Sequence, residues 1–303
     1  MDGNAATQRV PARKPVLLTS APSIATRRQV GSAIMSEPVS DALIVYGGGA
    51  SQPTRAVWWT CLIKNLAFEA CQAGGHDLAR INPKRQVPAI NDAGFVLYEM
   101  PAILVYLAEK HGWIDLYPDE LQARARVNQY LNFHHTTPRL ATFQLMGPHV
   151  TPALGPAFGV DSLDPLMVDT IMAMRARADK LTSGRQAFAK QASIVECGYF
   201  FDDAPFLCGT RRPTIADIAC YQELAQLQWA GLFDFSPFPR IQGWLGRMAE
   251  LPFHDVAHAY NIDLGDISAD DNTMERFTQA NEAAARALAA AGVTVRGNSG
   301  AEN

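Results

Sequence analysis

No apolar stretch of this 303-residue chain reaches the roughly 18 to 20 residues that a membrane helix requires, so no membrane partner is expected. Cysteine is sparse. Cys61, Cys71, Cys197, Cys208 and Cys220 are odd in number, and their spacing matches neither a zinc site nor a CxxC redox pair. A reducing compartment, the cytoplasm first, and no metal are the expectations. An excess of charge of either sign is also lacking: the formal net charge is −4, and the body of the chain carries no basic patch. That removes any general attraction to nucleic acid or anionic lipid. What remains, with 48% hydrophobic and 18% charged residues, is ordinary globular material able to bury a core.

Acids are scarce in the first 35 residues, where Asp2 stands alone against Arg9, Arg13, Lys14, Arg27 and Arg28 among Ala, Ser, Thr and Pro. Such a composition reads either as a transit peptide for mitochondrion or plastid or as a disordered tail with Met35 the working start. Residues 1–41 are therefore set apart as an extension.

After it comes VYGGGASQPTRAVWW, Val45 to Trp59. Ala42 to Tyr46 is a short apolar strand ended by glycine. Pro53 suits the first turn of a helix, where a missing N–H costs nothing, and Ala56, Val57, Cys61 and Leu62 recur at helical spacing. Ala67 to Ala70 reads as a second strand. Asn91-Asp92-Ala93-Gly94 is a turn between Val87–Ile90 and Phe95–Tyr98, a hairpin in which Pro88 must take an edge or turn position, with a cis bond one solution. Ala102, Ile103, Tyr106 and Leu107 predict an amphipathic helix ending near Gly112. Beyond Tyr117-Pro118 the pattern is helical: Leu121 to about Leu145, Leu166 to Phe188, Ile215 to Trp229 and Ile241 to Leu251. An α/β domain over 42–112 followed by an all-helical domain over 120–265 is the expected organisation. Residues 266–303 read as a mobile tail with one helix candidate, Met274 to Ala291, and a polar end.

The glycine run lacks the lysine of a phosphate loop, since the next lysine is Lys64. It is nearer the dinucleotide fingerprint, with Gly47, Gly49, Gln52 in place of the third glycine, and Glu69 where a ribose-binding acid would lie. No further βαβ units follow, which counts against that reading. A third use is a helix start: Ser51 at the strand-to-helix turn offers a hydroxyl beside the positive end of a helix dipole, or merely caps the helix.

The runs Ser51-Gln52-Pro53-Thr54-Arg55-Ala56, Asn82-Pro83-Lys84-Arg85-Gln86-Val87-Pro88-Ala89 and Tyr98-Glu99-Met100-Pro101-Ala102-Ile103 together resemble the thioredoxin-like N-terminal domain of cytosolic glutathione transferases. Arg124–Val127, Tyr130–His134, Phe206–Thr210 and Pro213–Asp217 are similar to the helical domain of the theta class. The resemblance covers about residues 42 to 260. It implies a thioredoxin-like domain followed by an all-helical domain with an electrophile pocket, and a homodimer. The activity it implies is attack of the glutathione thiolate on a small apolar electrophile in detoxification.

By the same resemblance Ser51 donates to the thiolate, and Val87 beside Pro88 pairs strand-like with the cysteinyl part of glutathione. Glu99 holds the γ-glutamyl ammonium, while the helix start beside Met100 takes its carboxylate. Arg139 matches an arginine near the active site, though a surface arginine is the rival reading. Tyr46 is a rival to Ser51. Two departures stand out. Met100 replaces the family's serine, and the segment Cys71 to Ile81 is about seven residues short, leaving His76 or Gln86 for the glycine carboxylate. Those departures motivate the alternative of a weakened, non-catalytic binding protein on the same fold. Thr214 to Asp217 has the form of a helix capping box, and adjacent His134 and His135 face different sides of a helix, which argues against a metal pair.

Overall fold

The computed structural model describes residues 42–72, 75–154, 184–269 and 272–297. Strand β1, Leu43–Tyr46, alternates buried Leu43 and Val45 with half-buried Ile44 and Tyr46, the two-residue period of a pleated strand. It pairs in parallel with β2, Phe68–Cys71, through helix α1, Gln52–Ile63. On its other side it pairs antiparallel with β3, Ala89–Asp92, which forms the expected hairpin with β4, Phe95–Tyr98. A short helix α2, Gly75–Ile81, precedes the hairpin, and α3, Met100–His111, follows it and ends at left-handed Gly112. This is a thioredoxin-like arrangement. The antiparallel β3 is foreign to a doubly wound dinucleotide fold, and the Glu69 carboxylate is paired with Arg296, so the nucleotide reading fails on both counts.

The helical part comprises α4, Leu121–Thr136, α5, Pro138–Leu154, α6, Gly184–Gly198, α7, Ile215–Trp229, α8, Pro239–Ala249, and the short α9, His254–Ala257, and α10, Ala259–Leu264. One helix expected from Leu121 to Leu145 is in fact two. Thr137 leaves helical geometry because it precedes Pro138, whose ring disfavours the α conformation in the residue before it. The helix expected over Leu166 to Phe188 lies mostly outside the described residues. Helix α7 starts with the predicted capping box: the Thr214 hydroxyl accepts from Ala216 N–H and Asp217 accepts from Thr214 N–H. Residues Ile215 to Leu227 of α7 are all buried, as is almost all of α1, and the two helices pack together. Their contact joins the sheet domain to the helical one.

The expected helix of the tail is present, and up to residue 297 the described tail packs on the body of the protein. Helix α11, Met274–Ala290, buries Phe277, Ala280, Ala284 and Leu288 against α9 and α10, an apolar stripe at helical spacing. Thr294–Arg296 then forms β5, parallel to β2, and the sheet order is β4-β3-β1-β2-β5. A three-residue strand after an alanine-rich helix has too little periodicity to be recognised from sequence.

Candidate active site

The turn between β1 and α1 is set by glycine and capped by serine. Gly47 has φ +144°, and a Cβ there would lie 2.3 Å from Thr54 Oγ1, so no other residue fits. Ser51 is extended at φ −86°, ψ 114°, and its Oγ accepts the Thr54 N–H at 3.3 Å. Its backbone N–H donates to Gly48 C=O at 3.1 Å. The serine therefore caps the helix, yet its own hydroxyl hydrogen has no acceptor among the described residues. Capping and donation to a ligand are compatible, because the first uses the oxygen lone pair and the second the proton.

A cleft beside this helix start is lined by Pro53, Asn82, Gln86, Val87, Pro88, Glu99, Met100, Pro101, His135 and Arg139. Six of the predicted site residues, Gln86, Val87, Pro88, Glu99, Met100 and Arg139, thus come together. Ser51 is not among the lining residues, although Pro53 of the same first turn is. His76 belongs to α2, and its side chain lies outside those described. Tyr46, half-buried on β1, does not line the cleft; burial first, then Cys71, holds its phenol above the ordinary value.

Local chemistry explains the cleft wall. Buried Asn82 accepts from Lys84 N–H at 3.0 Å and donates through Nδ2 to Gln86 C=O at 2.8 Å, which ties residues 82–86 into one loop. The Val87-Pro88 bond that follows is cis, and Val87 lies outside both neighbouring ladders. Glu99 sits at φ +72°, an unfavourable region for a side-chain-bearing residue, just ahead of α3. Its Oε1 accepts from Lys84 Nζ at 2.8 Å, and Lys84 is held above the usual lysine range by that bond. Met100 is only 4% exposed, so it lines the cleft and at the same time belongs to the core.

Arg139 is anchored from behind. Its Nη1 lies 3.1 Å from Oε1 of Glu223, a residue of α7 with no exposed surface. Burial raises the Glu223 carboxyl, and Arg139 and Arg55 oppose that rise. His134, 3.7 Å from the same carboxylate, is driven down to about 3 by burial and then by Arg139, so it is neutral at pH 7 and that contact is not an ion pair. The three fully buried thiols are inert: burial pushes Cys61 up to about 12 and Cys208 and Cys220 upward as well.

Comparison with known proteins fixes the lineage. The family model for the glutathione S-transferase N-terminal domain matches residues 50–110. Glutathione S-transferase T1 of Arabidopsis thaliana is 31% identical over 71% of this chain and 87% of its own length. Glutathione S-transferase theta-1 of Rattus norvegicus is 32% identical over 65% of this chain and 78% of its own. The chain belongs to the glutathione S-transferase family. It spans only 36% of the length of the Arabidopsis T3 and T2 relatives, at 31% and 30% identity. Among solved structures, apo human glutathione-S-transferase T1-1 superposes with TM-score 0.59 at 27% identity, over 82% of this chain and 99% of that one. Human glutathione transferase theta-2, solved with glutathione and an unknown ligand, superposes with TM-score 0.58 at 27% identity, over 81% and 99%.

Set within this transferase fold, three features were missed in the sequence. His135 lines the cleft, a place that its position next to His134 in the sequence does not announce. Lys84 pairs with Glu99 across fifteen positions, which no local pattern announces. Glu223, buried in α7, was indistinguishable from any helical glutamate. Among the described residues no group of three His, Cys, Asp or Glu is arranged to hold a metal ion, and no helix is long and apolar enough to cross a membrane.

Proposed function

We propose that this protein is a theta-like glutathione transferase that uses Ser51. The observation that carries the reading is the gathering of Gln86, Val87, Pro88, Glu99 and Met100 in one cleft beside the first turn of α1, in a chain of this family. Glutathione lies in that cleft with its thiol toward Ser51, whose hydroxyl donates to the thiolate beside the positive end of α1. Val87 offers backbone groups to the cysteinyl unit, and Glu99 faces the γ-glutamyl ammonium. The Met100 and Ala102 N–H groups at the start of α3, Pro101 having none, receive the γ-glutamyl carboxylate. Gln86, with His76 as the other residue available, serves the glycine carboxylate, and Arg139 with His135 borders the second substrate. The thiol proton passes to solvent; the thiolate then forms a sulfur–carbon bond while the leaving group departs with its bonding pair.

Two finer assignments go with this. A homodimer is supported by the edge position of β4, whose Phe95 and Val96 are exposed. A cytoplasmic location accords with the family, mitochondrion or plastid being the alternative if residues 1–35 act as a transit peptide. The domain limits 42–112 and 120–265 belong to the same reading.

Retention on immobilised glutathione, followed by halide release from a small alkyl halide, tests the function. Release that saturates with glutathione is expected. Retention without turnover would favour the second reading, a non-catalytic binding protein, toward which the Lys84–Glu99 pair and Met100 lean. The absence of both retention and turnover would overturn the transferase reading and leave the non-catalytic one, as an interaction protein.

A further inference from the structure

The Arg55 side chain, with no exposed surface, turns back toward the loop that precedes its own helix, and its Nη1 donates to the Gly49 carbonyl at 2.7 Å. Its other two donor positions are taken from α7: Nε donates to Gln222 Oε1 at 3.2 Å and Nη2 to Gln226 Oε1 at 3.1 Å. Those glutamines are four apart and share one face of the helix. The orientation of Gln222 is fixed from behind. His258 Nδ1 lies 2.7 Å from the His254 carbonyl, which can only accept, so that nitrogen carries the proton. Burial keeps His258 neutral, and Nε2 is then an acceptor, 3.0 Å from the Gln222 amide nitrogen. The Gln222 amide therefore has one permitted orientation, with its NH2 on His258 and its oxygen on Arg55.

We propose that Gln222 is a positioning residue for the Ser51 hydroxyl, acting through Arg55 on the Gly49 peptide. Gly49 is two residues before Ser51, inside the turn that the Ser51 N–H to Gly48 C=O bond closes. Gly49 is also closely packed: a Cβ there would lie 2.7 Å from Ala284 Cβ and 3.1 Å from Tyr260 Cβ. The turn is thus bonded to Arg55 and packed on α10 and α11. A donor for a thiolate must be held to about half an ångström, and a displacement of about 1 Å costs on the order of a hundredfold in rate. The inference rests on Ser51 as the thiolate donor.

The test compares wild type, Ser51→Ala, Gln222→Leu and Gln222→Glu by three measurements: the pH titration of the bound-thiolate ultraviolet band, kcat and KM for glutathione, and the melting temperature. Gln222→Leu removes the acceptor, and the expected result is a bound-thiol pKa raised by about half to one unit. With it goes a kcat lowered about three- to tenfold, a three- to tenfold loss being the fold equivalent of about 0.7 to 1.4 kcal/mol. Gln222→Glu keeps an acceptor for Arg55 but loses the donor to His258 Nε2, so it should restore both values in part. A Gln222→Leu protein that melts earlier but keeps wild-type thiol pKa and kcat would reduce Gln222 to packing and overturn the proposal. Should Gln222→Leu not fold, Gln222→Met, closer to glutamine in shape and without its amide oxygen, is read in the same way. Wild type and Ser51→Ala separate the two layers: a wild type with no bound-thiolate band, or one that Ser51→Ala does not shift, sinks the reading of Ser51 itself.

Discussion

Nζ of Lys84 stands 2.8 Å from Oε1 of Glu99, the carboxylate that the reading assigns to the γ-glutamyl ammonium. On that reading Lys84 competes with the ligand's ammonium for Glu99. Both side chains are well exposed, so their attraction is screened and worth at most about 1 kcal/mol. Lys84→Met should tighten glutathione binding up to about fivefold in titration calorimetry. Glu99→Gln should weaken it about ten- to a hundredfold, the loss of one hydrogen bond to a charged group. Weaker binding in Lys84→Met would mean that the lysine contacts glutathione rather than competes with it.

Met100→Ser separates binding from stability. The methionine is nearly fully buried, and truncating such a side chain costs about 2 to 5 kcal/mol of stability. The new hydroxyl adds a donor at the γ-glutamyl site worth about 1 kcal/mol, or about fivefold in Kd. A lower melting temperature together with a lower Kd is the expected pair. A lower melting temperature with an unchanged Kd would show that Met100 displaces no donor from the site.

Much of this was legible in the sequence because the deciding signals are local. Ser51 followed by Pro53, the turn at Asn91 to Gly94, Gly112 past a helical run and the Thr214 to Asp217 box each name a structure within four or five residues, and each is found in place. The cleft itself was legible through the family resemblance, which supplied the pairing of distant motifs. What the sequence hid depends on tertiary contact. Burial of Met100, the Lys84–Glu99 pair, the anchoring of Arg139 on Glu223 and the docking of β5 beside β2 are set by neighbours far along the chain.

His134 gives a pH dependence with a definite sign. Burial holds it at about 3, below the ordinary histidine value of about 6.5, so the unfolded chain binds the proton that the folded one refuses. Its stability contribution is therefore complete above about pH 6.5 and is lost as pH falls toward 3, by about 1.4 kcal/mol per unit. Asp217, pushed up to about 6 by burial, acts in the opposite sense, its contribution being lost as pH rises through 6. The difference between wild type and His134→Asn isolates the histidine. Denaturant unfolding should show the wild type losing about 1.4 kcal/mol more than the variant between pH 7.5 and 5.5. Equal losses would place the proton elsewhere.

Gly49→Ala forces a methyl group against Ala284 and Tyr260. Overpacking of this kind costs about 1 to 3 kcal/mol. Ala284→Gly alone costs about 1 kcal/mol of helix propensity, yet combined with Gly49→Ala it vacates the space the new methyl needs. Denaturant unfolding of the four proteins should give a double variant more stable than the sum of the single changes predicts, with a coupling of about 0.5 to 3 kcal/mol. Strict additivity would mean that α11 does not press on the turn.

The account turns on the Ser51 hydroxyl, and the most direct measurement is the pKa of glutathione bound to wild type and to Ser51→Ala, read from the thiolate absorbance. One charge-assisted hydrogen bond of about 1.5 to 3 kcal/mol predicts a bound-thiol pKa about one to two units higher in the variant. Conjugation at pH 7 should fall about ten- to a hundredfold with it. An unchanged thiol pKa and unchanged turnover in Ser51→Ala would contradict the account and leave the serine as a helix cap alone.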